Sequence, residues 1–173
     1  KTGREAEHIF NDAFSKFEKV IEIKHDHYET MYNWGTELLF FAKTKTGKEA
    51  EILYRKSIVK FENALDIKKD RHEVLYNWGT CLGQLAKTKS GKEADELYKE
   101  AVKKFNKAIE LGGYSYNLSC MLAQKGEKEK AFEYLDKSLK KNEMTVNFVR
   151  KDNDWSGYLS DHEFVDLLKK YED

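Results

Sequence analysis

The 173-residue chain contains no proline. Nothing in it removes a backbone donor or forces a ring against a preceding carbonyl, so long uninterrupted helices are open to it. It has only two cysteines, Cys81 and Cys120, too few to staple a small disulfide scaffold. They read as packed thiols, which predicts a cytoplasmic or other reducing compartment. Net charge is missing as well: 31 basic residues balance 31 acidic ones, leaving no global field to draw in nucleic acid or an anionic membrane. No apolar run approaches the roughly 18 residues that cross a bilayer, so membrane insertion is not expected. No cleavable signal is visible, although the chain opens at Lys1 without an initiator methionine, and a targeting segment can have been cut away.

Catalytic chemistry is equally thin. There is no phosphate-cradling glycine loop, and no histidine stands beside a serine or cysteine as the base of an activated nucleophile. His25-Asp26-His27 could give zinc two ligands, but no third or fourth has suitable spacing, so it reads as a solvated turn. Lys103-Lys104 and Lys140-Lys141 are interspersed with glutamate and read as solvated helix faces rather than a nucleic-acid patch. The expectation is a protein that is not an enzyme and needs no cofactor.

What the chain does have is self-similarity. Tyr32-Asn33-Trp34-Gly35-Thr36 returns as Tyr76-Asn77-Trp78-Gly79-Thr80, and Thr46-Gly47-Lys48-Glu49-Ala50 returns as Ser90-Gly91-Lys92-Glu93-Ala94, both displaced by 44 residues. Phe61, Ala64 and Leu65 map without insertion onto Phe105, Ala108 and Ile109, and an earlier half-copy begins at Thr2-Gly3-Arg4-Glu5-Ala6. A period of 20 to 50 residues marks stacked supersecondary units. Within one period, Leu75, Trp78, Leu82 and Leu85 recur at three and four residues, which predicts a helix from about Arg71 to Lys87. A second helix follows from about Lys92 to Leu111, with Ser90 as N-cap, Glu93 completing a capping box, and Gly112-Gly113 ending it.

The third unit carries the resemblance. Tyr116, Leu118-Ser119, Leu122, Gly126, Ala131, Leu135 and Ser138-Leu139 have the spacing of a tetratricopeptide repeat. Trp34-Gly35 and Trp78-Gly79 fill the same large-small slot, and Ser57, Ala101 and Ala131 take the small position of the second helix. The chain therefore resembles that family, with two repeats lengthened to 44 residues, one of standard length, and the usual proline after the second helix absent. The resemblance implies an all-α, right-handed α-solenoid of stacked antiparallel helix pairs. Its expected parts are the second helix of a truncated repeat (1–27), elongated repeats (28–71 and 72–112), a standard repeat (113–143) and a C-terminal cap (144–173).

In the family, first helices line a concave groove that grips a peptide or partner helix. Carried over residue by residue, the resemblance assigns that groove Glu29, Tyr32, Thr36, Leu39 and Phe40; Glu73, Tyr76, Thr80, Gly83 and Gln84; and Tyr116, Cys120, Ala123 and Gln124. The function it implies is a scaffold whose partner is a protein or peptide. Self-association into a homo-oligomer through the first helix is one alternative. A calcium-responsive module is another, because Asp152, Asp154, Ser156, Tyr158 and Glu163 fall at liganding places of a twelve-residue calcium loop with Gly157 sixth. We read the same stretch as a cap covering the last apolar face, with Phe164, Leu167 and Leu168 inward and no metal bound, because a terminal repeat has no neighbour to bury its stripe.

Overall fold

The computed structural model describes residues 3–172; Thr2, which opens the half-copy, lies outside the described residues. The fold is all-α, of the tetratricopeptide type, and no strand occurs among the described residues. The chain forms two compact units, Lys1–Leu111 and Gly112–Asp173.

The first unit contains α1 (Gly3–Ile23), α2 (Tyr28–Lys43), α3 (Gly47–Ile67), α4 (His72–Lys87) and α5 (Gly91–Glu110). α2 pairs with α3, and α4 with α5. The close approach is made at the small residue of the Trp-Gly slot. A Cβ on Gly35 would stand 2.7 Å from the Phe61 ring, and one on Gly79 would stand 3.0 Å from Phe105. Each phenylalanine is almost wholly buried, so its ring lies directly on the neighbouring helix backbone. Ser57, at the small position of α3, donates its hydroxyl to the Gly35 carbonyl at 2.7 Å, satisfying a buried polar group inside the pair. α3 meets α4 where the Cys81 thiol donates to the Tyr54 carbonyl at 3.2 Å. Burial pushes that thiol up to about 12, so it stays neutral and acts as a small core residue. α1 is held to α2 by rings, with Phe10 stacked on Phe41 at 4.5 Å and Phe17 on Trp34 at 5.9 Å.

The capping box does not form. Thr46 and Ser90 make no side-chain cap bond, because Gly47 and Gly91 enter their helices in the left-handed region (φ 57° and 58°) and turn the preceding hydroxyl away from the first helical donors. Glu93 instead pairs with Arg55 at 3.1 Å and Lys89 at 3.4 Å. Asp70 and Asn142 sit at φ 56° and 54°, taking the turns that glycine usually makes after a helix.

The second unit contains α6 (Tyr116–Gln124), α7 (Lys128–Lys140), α8 (Val146–Lys151), a 3-10 helix (Asn153–Tyr158) and α9 (His162–Lys169). The Glu143 carboxylate returns to the start of α6 and accepts from the backbone N–H groups of Ser115 at 2.7 Å and Tyr116 at 3.2 Å. Trp155, Phe164 and Leu168 are fully buried, and Trp155 stacks on Phe164 at 5.2 Å. Phe132 completes this aromatic layer.

The residues of the calcium reading are occupied as parts of that layer. Asp152 accepts from the Asp154 N–H at 2.9 Å and from the Tyr116 hydroxyl at 2.8 Å. Ser156 donates to Asn153, Tyr158 donates to the Ala123 carbonyl at 3.0 Å, and Glu163 pairs with Lys128 at 3.0 Å. Asp161 caps α9 by accepting from Glu163 and Phe164. The segment winds into a 3-10 helix around Trp155, with Asp152 and Asp161 capping helices and Glu163 turned to Lys128.

Candidate peptide-binding face

The candidate site is built on α2 and α4, which lie side by side in the first unit. Tyr32, Thr36 and Phe40 recur every four residues on α2, as do Tyr76, Thr80 and Gln84 on α4, so each set forms one stripe. Side-chain hydrogen bonds join the two helices. The Asn77 amide donates to the Tyr32 hydroxyl and to Thr36 Oγ1, both at 3.3 Å, and the Tyr28 hydroxyl donates to Glu73 at 2.9 Å. Thr36 and Thr80 return their hydroxyls to the carbonyls of Tyr32 and Tyr76.

The start of the face is aromatic and charged. Tyr28 stacks on Tyr32 at 6.2 Å with the rings almost parallel, and Lys68 lies 4.5 Å over Tyr28. Glu29 pairs with Lys68 at 2.8 Å and Glu73 with Arg71 at 2.9 Å. The Lys68 hydrogen bond holds Glu29 below the usual carboxylate range. These acids form a self-balanced rim. The far end is apolar: Phe40 is 52% exposed, with the Lys43 ammonium 5.6 Å from its ring.

Several residues assigned to the groove do not reach a surface. Leu39 is 2% exposed, because one residue along a helix is a rotation of about 100° and Leu39 faces the core while Phe40 faces out. Gly83 and Ala123 are buried too. Tyr76 is only partly exposed and meets Phe105 edge-on at 5.7 Å, so it braces α4 against α5. In the second unit, Tyr116 and Cys120 are 3% and 4% exposed. Tyr116 is covered by Phe148 and hydrogen-bonded to Asp152, while the Gln124 amide donates to Asp154. Cys120 shares this spot with Asp152 and Asp154, their ligand atoms within 4.8 Å of one another. Tyr116 and Gln124 already bind both carboxylates, and burial pushes the thiol up to about 12, so the cluster fastens the 3-10 helix to α6. Asn77 is the residue that sequence reasoning missed; its recurrence beside the tyrosine, as Asn33 and Asn77, is the signal that could have found it.

A helical-repeat fold in which α2 and α4 present a part-exposed polar and aromatic face is that of a protein-binding module. The chain belongs to the family of the plant-specific mitochondrial import receptor subunit TOM20, whose model matches residues 8–150. Comparison with curated proteins finds no match. The family is one of non-enzymatic receptors, which makes protein or peptide recognition the general activity and corrects the expected location. Membership points to the mitochondrial outer membrane rather than a cytoplasmic compartment. The two buried thiols misled that expectation because packed cysteines report on the core rather than on the redox state outside it. No helix among the described residues is long and apolar enough to cross a membrane.

Proposed function

We propose that the chain is a receptor module that binds a segment of a protein destined for import, received as an amphipathic helix on the open face of α2 and α4. The carrying observation is Phe40, a large aromatic side chain left half-exposed on that face in a chain of an import-receptor family. Amphipathic helices dock by laying apolar positions spaced three or four apart on such anchors. Gln84 on α4 is part-exposed and offers hydrogen bonds, and the partly exposed Glu37, one turn before Phe40, supplies a negative charge suited to a basic flank. Tyr32 and Asn77, tied to each other, hold the two helices in register.

Phe40→Ala is expected to weaken a fluorescently labelled basic amphipathic presequence peptide by more than about 1 kcal/mol, the scale of a significant interface anchor. Its melting temperature should stay unchanged, since an exposed ring contributes little to folding. Fluorescence anisotropy and a thermal melt on the same samples check both. Unchanged affinity would place the binding face elsewhere.

A further inference from the structure

A cavity of about 460 Å³ opens between α1 and α3, with α2 as its floor. The peptide face runs along Tyr32, Thr36 and Phe40, whereas the cavity is floored by Trp34, Leu38 and Phe41, so the two use different sides of α2. Phe14 and Leu53 complete the apolar walls. The polar lining carries two cations against one anion: Lys60 and Lys56 from α3 face Glu18 and Asn11 from α1. Lys60 Nζ stands 3.4 Å over the centre of the Trp34 ring.

The next repeat provides an internal comparison. Displaced by 44 residues, Trp34 becomes Trp78, Lys60 becomes Lys104 and Lys56 becomes Glu100. There Lys104 also lies over the tryptophan, at 3.6 Å, but Glu100 balances it at 3.3 Å. At the cavity the balancing glutamate is replaced by a second lysine. A tryptophan face attracts an ammonium without neutralising it, and burial pushes Lys60 below the ordinary lysine range, opposed only by the more distant charge of Glu18. A half-buried cation beside a drug-sized apolar cavity calls for an anion with a hydrophobic body.

We propose that this cavity is a binding site for an amphiphilic monocarboxylate, an aliphatic chain of medium length whose body lies between Phe14, Trp34 and Leu38 and whose carboxylate pairs with Lys60. Charge complementarity selects the headgroup, and the volume of about 460 Å³, within the range of about 300 to 1,000 Å³ usual for small-molecule sites, suits a small ligand.

Isothermal titration of the full chain with sodium decanoate, and separately with decanol, tests the assignment. Decanoate should bind one-to-one and at least about tenfold more tightly than the uncharged alcohol, as expected when a charge-assisted hydrogen bond is gained. Lys60→Met and Lys56→Glu should each weaken decanoate by about tenfold and leave decanol unchanged. Lys56→Glu should fold as the wild type does, because it installs at an exposed position the residue that the next repeat already carries. Equal binding of acid and alcohol, indifference to both substitutions, or no saturable decanoate binding below about 1 mM would overturn the proposal.

Discussion

Replacing Trp155 by alanine is expected to destabilise the C-terminal unit by about 3 kcal/mol, the lower end of the range for deleting a buried large aromatic. The indole is fully buried and packs against Phe132, Tyr158 and Phe164 at centroid distances of 5.2 to 6.2 Å, so its removal leaves a cavity at the junction of three elements. The loss sits at the lower end because the indole N–H has no nitrogen or oxygen acceptor and faces only the Cys120 thiol, a weak partner. Deleting it relieves one poorly satisfied buried donor. Denaturant melts followed by circular dichroism would show the effect, and a loss under about 1 kcal/mol would mean that the cap does not depend on this ring. The same preparation treated with a calcium chelator should melt at an unchanged temperature, since Asp152 and Asp161 are engaged in capping backbone donors.

The second large effect lies where α2 meets α3. Phe61→Ala should remove about 3 to 5 kcal/mol, because the ring is wholly buried and the rigid helix backbone opposite cannot collapse into the gap. Gly35→Ala alone should also destabilise, by about 1 to 3 kcal/mol, since a Cβ 2.7 Å from the Phe61 ring must displace it. That loss outweighs the gain of up to about 1 kcal/mol from replacing a mid-helix glycine by alanine. Once the ring is absent the clash is absent too, so Gly35→Ala in a Phe61→Ala background should be neutral or mildly stabilising. The double-mutant cycle would then give a coupling of about 1 to 3 kcal/mol; simple additivity would show that the two residues do not share the contact.

Helix positions were legible because the repeat states its apolar pattern twice. The first helix expected from Arg71 to Lys87 runs from His72 to Lys87, and the second, expected from Lys92 to Leu111, runs from Gly91 to Glu110. The turns at Asp70 and Asn142 were also readable, as residues that tolerate a left-handed backbone where glycine is missing. The unmade cap at Ser90 was not, because it depends on the dihedral angle of Gly91, which the letters do not carry. At Asp152 to Glu163 the letters allowed two readings, because oxygen-bearing residues fall at liganding intervals; what they could not show is that Trp155 is wholly buried with the segment wound around it as a 3-10 helix.

The candidate face was less legible than the fold. Leu39 and Phe40 look alike on paper, and only the rotation of α2 against α3 decides which one is buried. For Tyr116 and Cys120 the missing information lay further along the chain. Phe148, Asp152 and Trp155 close over that part of α6, so a position that would be open in an interior repeat is sealed in the last one.

The reach of those closing contacts bears on how the chain matures during synthesis. The α2–α3 pair is locked by a hydrogen bond between residues 22 apart, and its helices can settle as soon as both have left the ribosome. α6 waits longer. The backbone donors at its start are met by Glu143, 27 and 28 residues downstream, and its tyrosine hydroxyl donates to Asp152, 36 residues downstream. Local contacts form early and domains fold from the N-terminal side as the chain emerges. A nascent chain halted before Asp152 would therefore carry a finished N-terminal stack and an exposed α6, giving chaperones a defined stretch of apolar surface to hold until Asp152 and the segment around Trp155 arrive.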